Sequence, residues 1–259
     1  IVILHSFYQL MKPRVMSLVI FTCVVGLIAA PQQISLINAL ISLIAVALGA
    51  GSAGALNMWY ESDLDALMQR TCLRPIPTGK ITKNQALIFG ILTSIVSVGT
   101  LYIFANLLST IILSITILFY VIIYTMWLKK RTAQNIVIGG AAGAFPPIIG
   151  WSIASGNISL EPIIFFLIIF FWTPSHFWAL SLYKTQDYKK ANIPMLPVTS
   201  GVRTTKINIF IYGLLLFIIA LCPYFFNFSG FVYFFLACIL SLYYIFLCFK
   251  LLNEKESNQ

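Results

Sequence analysis

Eight stretches of the chain are each mostly apolar over the roughly 20 residues that a helix needs to cross a bilayer. They run over 15–32, 34–56, 85–105, 107–128, 135–156, 160–183, 207–227 and 230–252. Little is left to make a surface for water. Only 9% of the 259 residues are charged, against about 25% in an ordinary soluble domain. Mean hydropathy is +0.95. A soluble enzyme, a coiled coil and a disordered chain are thereby excluded. Apolar and polar residues do not alternate along the stretches, as a membrane barrel requires, so the spans are helices. The prediction is an all-α, polytopic membrane helical bundle, a single intramembrane domain over residues 1–259.

The charges then fix the topology. Lys12 and Arg14 precede the first span, and Arg70, Arg74, Lys80 and Lys83 follow the second. Lys129, Lys130 and Arg131 follow the fourth, and Lys184, Lys189, Lys190, Arg203 and Lys206 follow the sixth. Lys250 and Lys255 close the eighth, which accounts for all 16 basic residues. With eight spans every one of them falls on the same face, the cytoplasmic side or its equivalent by the positive-inside rule. The formal charge of +9 is thus a topological address and not a sign of nucleic-acid binding. Lys12-Pro13-Arg14 lies against a full-length first span, so the N-terminal stretch does not read as a cleaved signal. The five cysteines form no CxxC pair, and four lie in apolar spans as small hydrophobes.

In so apolar a chain each acid asks for a reason. Six of the seven share the basic face, with Glu161 opposite. Asn57, Glu61 and Asp65 are spaced i, i+4, i+8, and on a helix each such step advances only about 40°, so their oxygens share one face. Asp63 points elsewhere if that helix continues. Carboxylates crowded on one face repel unless a cation joins them, and Mg²⁺ favours one or two carboxylates completed by water and phosphate oxygens. Arg70 and Arg74 follow with planar forks suited to phosphate. The cluster also fits a merely solvated helix end. Asp187 adds weight to the diphosphate reading, because it lies in the matching loop four spans later, next to Lys184. Spans one to four and five to eight thus read as two four-helix halves, each with a polar loop after its second helix.

These residues also form long recognisable strings. Asn57-Met-Trp-Tyr-Glu61-Ser-Asp63-Leu-Asp65, with Arg70-Thr71 and Arg74-Pro75-Ile76-Pro77, resembles the signature of the UbiA-type intramembrane prenyltransferases. Lys12-Pro13-Arg14-Val15, the run from Arg131 to Pro147, Trp172-Thr173-Pro174 with His176-Phe177-Trp178, and Asp187-Tyr188 through Pro197 resemble the haem branch of that family. The chain departs from the pattern at Glu61, where Asp is usual, at Ser62 for a common Arg, at Ser175 within a usual Pro-Pro pair, and at Gln186 for a second acid. Members usually carry a ninth span, and eight are read here.

The resemblance implies transfer of a farnesyl group from farnesyl diphosphate to a vinyl group of haem B, with addition of water, in the bacterial cytoplasmic or mitochondrial inner membrane. Asn57, Glu61, Asp65 and Asp187 would hold Mg²⁺, and Arg70, Arg74 and Lys184 would bind diphosphate. Trp59, Tyr60, Phe177 and Trp178 are candidates to stabilise an allylic cation, beside plain packing. His176, in an apolar span, is a candidate haem ligand or propionate partner, or simply bonded within the bundle. A haem A synthase or terminal oxidase would receive the product. Two alternatives stay open: a related prenyltransferase acting on a quinone precursor or chlorin, and a transporter, although the latter places its acids near mid-membrane. Gly139, Gly140 and Gly143 read as sites of close helix approach, and Pro146, Pro147 and Pro174 as kinks that open a cavity.

Overall fold

The computed structural model describes residues 2–254, so Lys255 and Glu256 lie outside the described residues. A short helix α1 (Val2–Leu10) is followed by α2 (Pro13–Ala29), α3 (Leu36–Leu67), α4 (Lys83–Phe104) and α5 (Leu107–Leu118). After α5 the chain continues as a π-helix over Phe119–Leu128. Next come α6 (Asn135–Ala144), α7 (Pro146–Ser155), α8 (Leu160–Tyr183), two short helices α9 (Thr185–Lys190) and α10 (Leu196–Thr199), then α11 (Gly201–Phe225) and α12 (Phe231–Asn253). Seven helical segments are long and apolar enough to cross a bilayer, with α6 and α7 counted as one. Helix α2, which meets α1 at a bend of 50°, makes the eighth. The spans alternate in direction, which gathers the described basic residues at one end, as the charge pattern predicts.

The first span is shorter than the sequence suggests. It begins at Pro13 and ends at Ala29, and the segment before it is a helix that the apolar pattern does not reveal. Lys12 sets the break, with φ 51° and ψ 63° in the left-handed region. A residue before proline is kept out of the helical region, and proline itself starts a helix without loss of a donor. Leu10 packs with Ala55 and Met58 of α3, and Phe7 meets Phe89 of α4 with ring centroids 5.0 Å apart.

Local chemistry sets the other boundaries. Thr82 and Gln85 form a reciprocal capping box at the start of α4. Asn106 caps α5 by accepting from the Ser109 N–H, and its Nδ2 donates to the Ser152 and Ile153 carbonyls across the bundle. Proline divides the fifth span between Ala144 and Pro146, whereas Pro174 is held within a continuous α8.

The two halves are visible in the packing. Helices α2 to α5 contact one another in turn, and α8 packs on α6, α7 and α11, with α12 against α11. The halves meet chiefly where α2 crosses α7. That crossing brings backbone onto backbone: a Cβ on Gly26 would lie 2.0 Å from the Pro147 carbonyl oxygen, and one on Gly150 would lie 1.9 Å from that of Cys23. Small residues at such crossings let membrane helices approach by van der Waals contact alone. The described cysteines are all free thiols.

Candidate active site

Helix α3 has 32 residues, a length of roughly 48 Å. A bilayer core is about 30 Å thick, so the last turns of α3 reach past it at the basic end. Those turns carry Asn57, Glu61 and Asp65 on one face, as the spacing predicts. All three are buried, at 2%, 3% and 2% exposure. Asp63 faces the other way, with its side chain 87% exposed and paired to Lys83.

Each polar group on the buried face meets a cation from a different part of the chain. Lys12 Nζ, from the turn before α2, donates to Asn57 Oδ1. Lys129 Nζ, from the end of the π segment, donates to Glu61 Oε2 at 2.6 Å. Arg74, from the loop after α3, donates to Asp65 Oδ2 at 2.7 Å. Asn57 Nδ2 also donates to Thr125 Oγ1 at 3.0 Å, and Thr125 in turn to the Tyr120 carbonyl. The π register explains how Lys129 is placed: its N–H bonds to the Tyr124 carbonyl five residues back, a widened turn of the kind that marks functional sites. Thr71 reinforces the loop by donating to the Asp65 carbonyl.

Three basic side chains thus meet two carboxylates, with Lys129 and Arg74 on the acids and Lys12 on the neutral Asn57 amide. Loss of water around Lys12 drives its ammonium down from the ordinary 10.5 to about 7, the charges of Arg74 and Lys129 push the same way, and Glu61 and Asp65 oppose. The second oxygen of each carboxylate takes no part in the ion pairs. Two carboxylates and an amide oxygen form a donor set suited to a hard cation such as Mg²⁺.

Not every predicted residue joins this cluster. Among the described residues, no three acids, histidines or cysteines converge as a metal group, so Asp187 is not gathered with Glu61 and Asp65. It is half-buried on α9. Its loop does face the first one: Tyr188, Ile193 and Met195 pack in one apolar cluster with Met68, just after α3. Arg70 and Lys184 are exposed and take part in none of the ion pairs among the described residues. His176 stacks on Trp172 at 4.3 Å and 16°. Trp178 is fully buried, edge-on to Tyr212 in the second half.

Below the cluster lies an apolar cavity of about 110 Å³. Lys12 and Tyr120 line it, Gly49, Ala50 and Ala53 of α3 form one wall, and Ala142, Gly143 and Pro146 form another. The break between α6 and α7 thus opens onto a cavity at Pro146, whereas Pro174, expected to do the same, lies within the continuous α8 and away from it. Lys12, Lys129, Thr125 and Tyr120 are the residues that the sequence reading did not assign to the site. The signal for the two lysines was their position, a charge directly against an apolar span. None of the four aromatic candidates lines the cavity, and Tyr120 does.

Residues 18–259 match the family model of the UbiA prenyltransferase family. A protein of Pelagibacter ubique (strain HTCC1062) named protoheme IX farnesyltransferase is 64% identical over 248 residues, covering 96% of this chain and 82% of the relative. One of the same name from Ehrlichia ruminantium (strain Welgevonden) is 51% identical over 254 residues, covering 98% and 86%. Among solved structures, a UbiA homolog from Archaeoglobus fulgidus bound to DMAPP and Mg²⁺ superposes with a TM-score of 0.82 at 16% identity, covering 98% of this chain and 89% of that one.

Proposed function

The chain belongs to the UbiA prenyltransferase family, and from that premise we propose that it is an intramembrane protohaem IX farnesyltransferase. It transfers the farnesyl group of farnesyl diphosphate to a vinyl group of haem B, with addition of water, giving haem O and diphosphate. One observation carries the reading. A neck of paired charges around Asn57, Glu61 and Asp65 adjoins an apolar cavity, and Lys12 belongs to both. A prenyl diphosphate has the same two ends. The acids sit at the basic end of the bundle, not at half depth where a transporter carries them.

In this mechanism Lys12, Lys129 and Arg74 turn from the acid face to the phosphate oxygens as substrate arrives, exchanging one charge-assisted bond for another. Exposed Arg70 and Lys184 add positive charge at the same end and draw the anion in. Asn57, Glu61 and Asp65 would hold Mg²⁺ at this face, and bound there it would supply charge that offsets what builds on the leaving diphosphate; Asp187, on the facing loop, is not gathered with them. A fold shared with a protein solved with DMAPP and Mg²⁺ supports that assignment. The cavity takes the farnesyl tail and excludes water, so the allylic cation lasts until the vinyl π-electrons attack it. Tyr120 is the aromatic residue at this cavity whose ring can stabilise the cation. The loops face the cytoplasm or mitochondrial matrix across the inner membrane, and the product passes to a haem A synthase or terminal oxidase.

Incubation of the purified protein with haem B and farnesyl diphosphate, followed by mass spectrometry of the extracted haem, is expected to show haem O. Prenylation of a quinone precursor or chlorin with no haem O would overturn the acceptor. His176, stacked on Trp172, is the haem-side residue of this reading. His176→Ala is expected to weaken haem B binding by about tenfold or more in an absorbance titration, with farnesyl diphosphate binding unchanged. Equal haem binding and activity in the variant would remove His176 from the site.

A further inference from the structure

Three glycines of α6 stand close together in sequence, yet they meet different surroundings. A Cβ on Gly139 would strike the Tyr124 ring at 2.1 Å, and one on Gly140 would come within 2.9 Å of Thr173. Those two serve close packing. A Cβ on Gly143 would meet nothing within 4 Å, and Gly143 lines the apolar cavity. No neighbour requires glycine there. Its missing side chain keeps space open.

The depth of that space follows from the helices. From Asn57 down α3 to Val46 is a drop of roughly 16 Å, and from the start of α6 to Gly143 roughly 12 Å. Val46, Leu113 and Ile149 line the cavity and are 1%, 3% and 1% exposed within one packed apolar cluster. They form its floor, and Gly143 stands on the wall above them.

We propose that Gly143 and the floor of Val46, Leu113 and Ile149 act as the ruler that sets which prenyl chain length the enzyme accepts. The inference rests on the prenyl-transfer reading. With the diphosphate held at the neck, the far end of the tail lies against the floor, and the empty volume beside Gly143 receives its last isoprene unit. Filling that volume excludes the longer tail, and lowering the floor admits a longer one. A methylene misplaced in an apolar pocket already changes selectivity by about tenfold or more, and an isoprene unit is larger.

The test compares geranyl, farnesyl and geranylgeranyl diphosphate as substrates of wild type, Gly143→Leu, Gly143→Val and Leu113→Ala. Binding of their unreactive thiolodiphosphate analogues, measured by competition, is the second readout. Gly143→Leu is expected to raise the ratio of geranyl to farnesyl kcat/KM at least tenfold, with Gly143→Val intermediate. Leu113→Ala is expected to raise the ratio of geranylgeranyl to farnesyl, and analogue affinities should follow the same order. Ratios taken within one variant are insensitive to its folded fraction, and should Gly143→Leu fail to fold, the other two variants decide. Ratios unchanged from wild type would overturn the ruler while leaving farnesyl transfer in place. A wild-type protein that transfers no prenyl group would instead overturn the underlying reading, and the analogue affinities would still judge the ruler.

Discussion

Asp65→Asn is expected to lower prenyl transfer by about 10²–10³-fold, the usual cost of removing one preorganised electrostatic group from a reacting centre. The residue is buried, and its Oδ2 takes a 2.7 Å hydrogen bond from Arg74. Asparagine keeps the shape and an oxygen to accept that bond. The change therefore isolates the negative charge. Breaking a buried ion pair outright costs about 3–5 kcal/mol, but with the hydrogen bond retained the cost to folding falls to about 1 kcal/mol. Lys12, Lys129 and Arg74 then face one carboxylate in place of two, so the diphosphate anion by itself binds no more weakly. The loss is expected in kcat and in metal dependence, with little change in the affinity for metal-free diphosphate. Asp63→Asn is the control. It breaks an exposed pair with Lys83 worth about 0–1 kcal/mol and leaves turnover at the wild-type level. Steady-state kinetics over a Mg²⁺ series checks both variants, and wild-type kcat in Asp65→Asn would remove the carboxylate from the chemistry.

Gly150→Ala is expected to cost at least about 3 kcal/mol of stability, the upper range for overpacking, and to deplete folded protein in the membrane. The new methyl would fall 1.9 Å from the Cys23 carbonyl oxygen and 2.9 Å from the Leu27 nitrogen. Both are backbone atoms of α2, so no side chain can rotate aside and the helices must separate. Their crossing joins the two halves, and α2 begins at the turn that carries Lys12. Separation therefore reaches the site as well as the fold. Gly143→Ala, seven residues earlier, meets nothing within 4 Å and is expected to unfold within a degree or two of wild type. Thermal unfolding in detergent, with the fraction recovered as a single species, distinguishes them. Equal melting of the two variants would show that the α2–α7 contact yields more readily than its backbone character implies.

Much of this molecule could be read before any coordinates. The approximate span positions follow from apolar length, the gathering of basic residues at one end from the places of the lysines and arginines, and the shared face of Asn57, Glu61 and Asp65 from helical spacing. Helix α1 was not legible, because a short amphipathic segment has neither the length nor the hydropathy of a span. The partners of the acid face were also hidden. Lys12, Arg74 and Lys129 come from three separate segments, and a hydrogen bond between residues 45 or 68 apart in sequence leaves no periodic trace.

The sequence alone determined the solvent of this protein, its all-helical class and the shared face of Asn57, Glu61 and Asp65, because bilayer thickness and helical period act on local runs of residues. Only the tertiary structure decided which cation meets which acid, and it alone separated Gly143 from Gly139 and Gly140. Neighbours in one helix look alike in sequence, and what they do depends on atoms that distant segments bring against them.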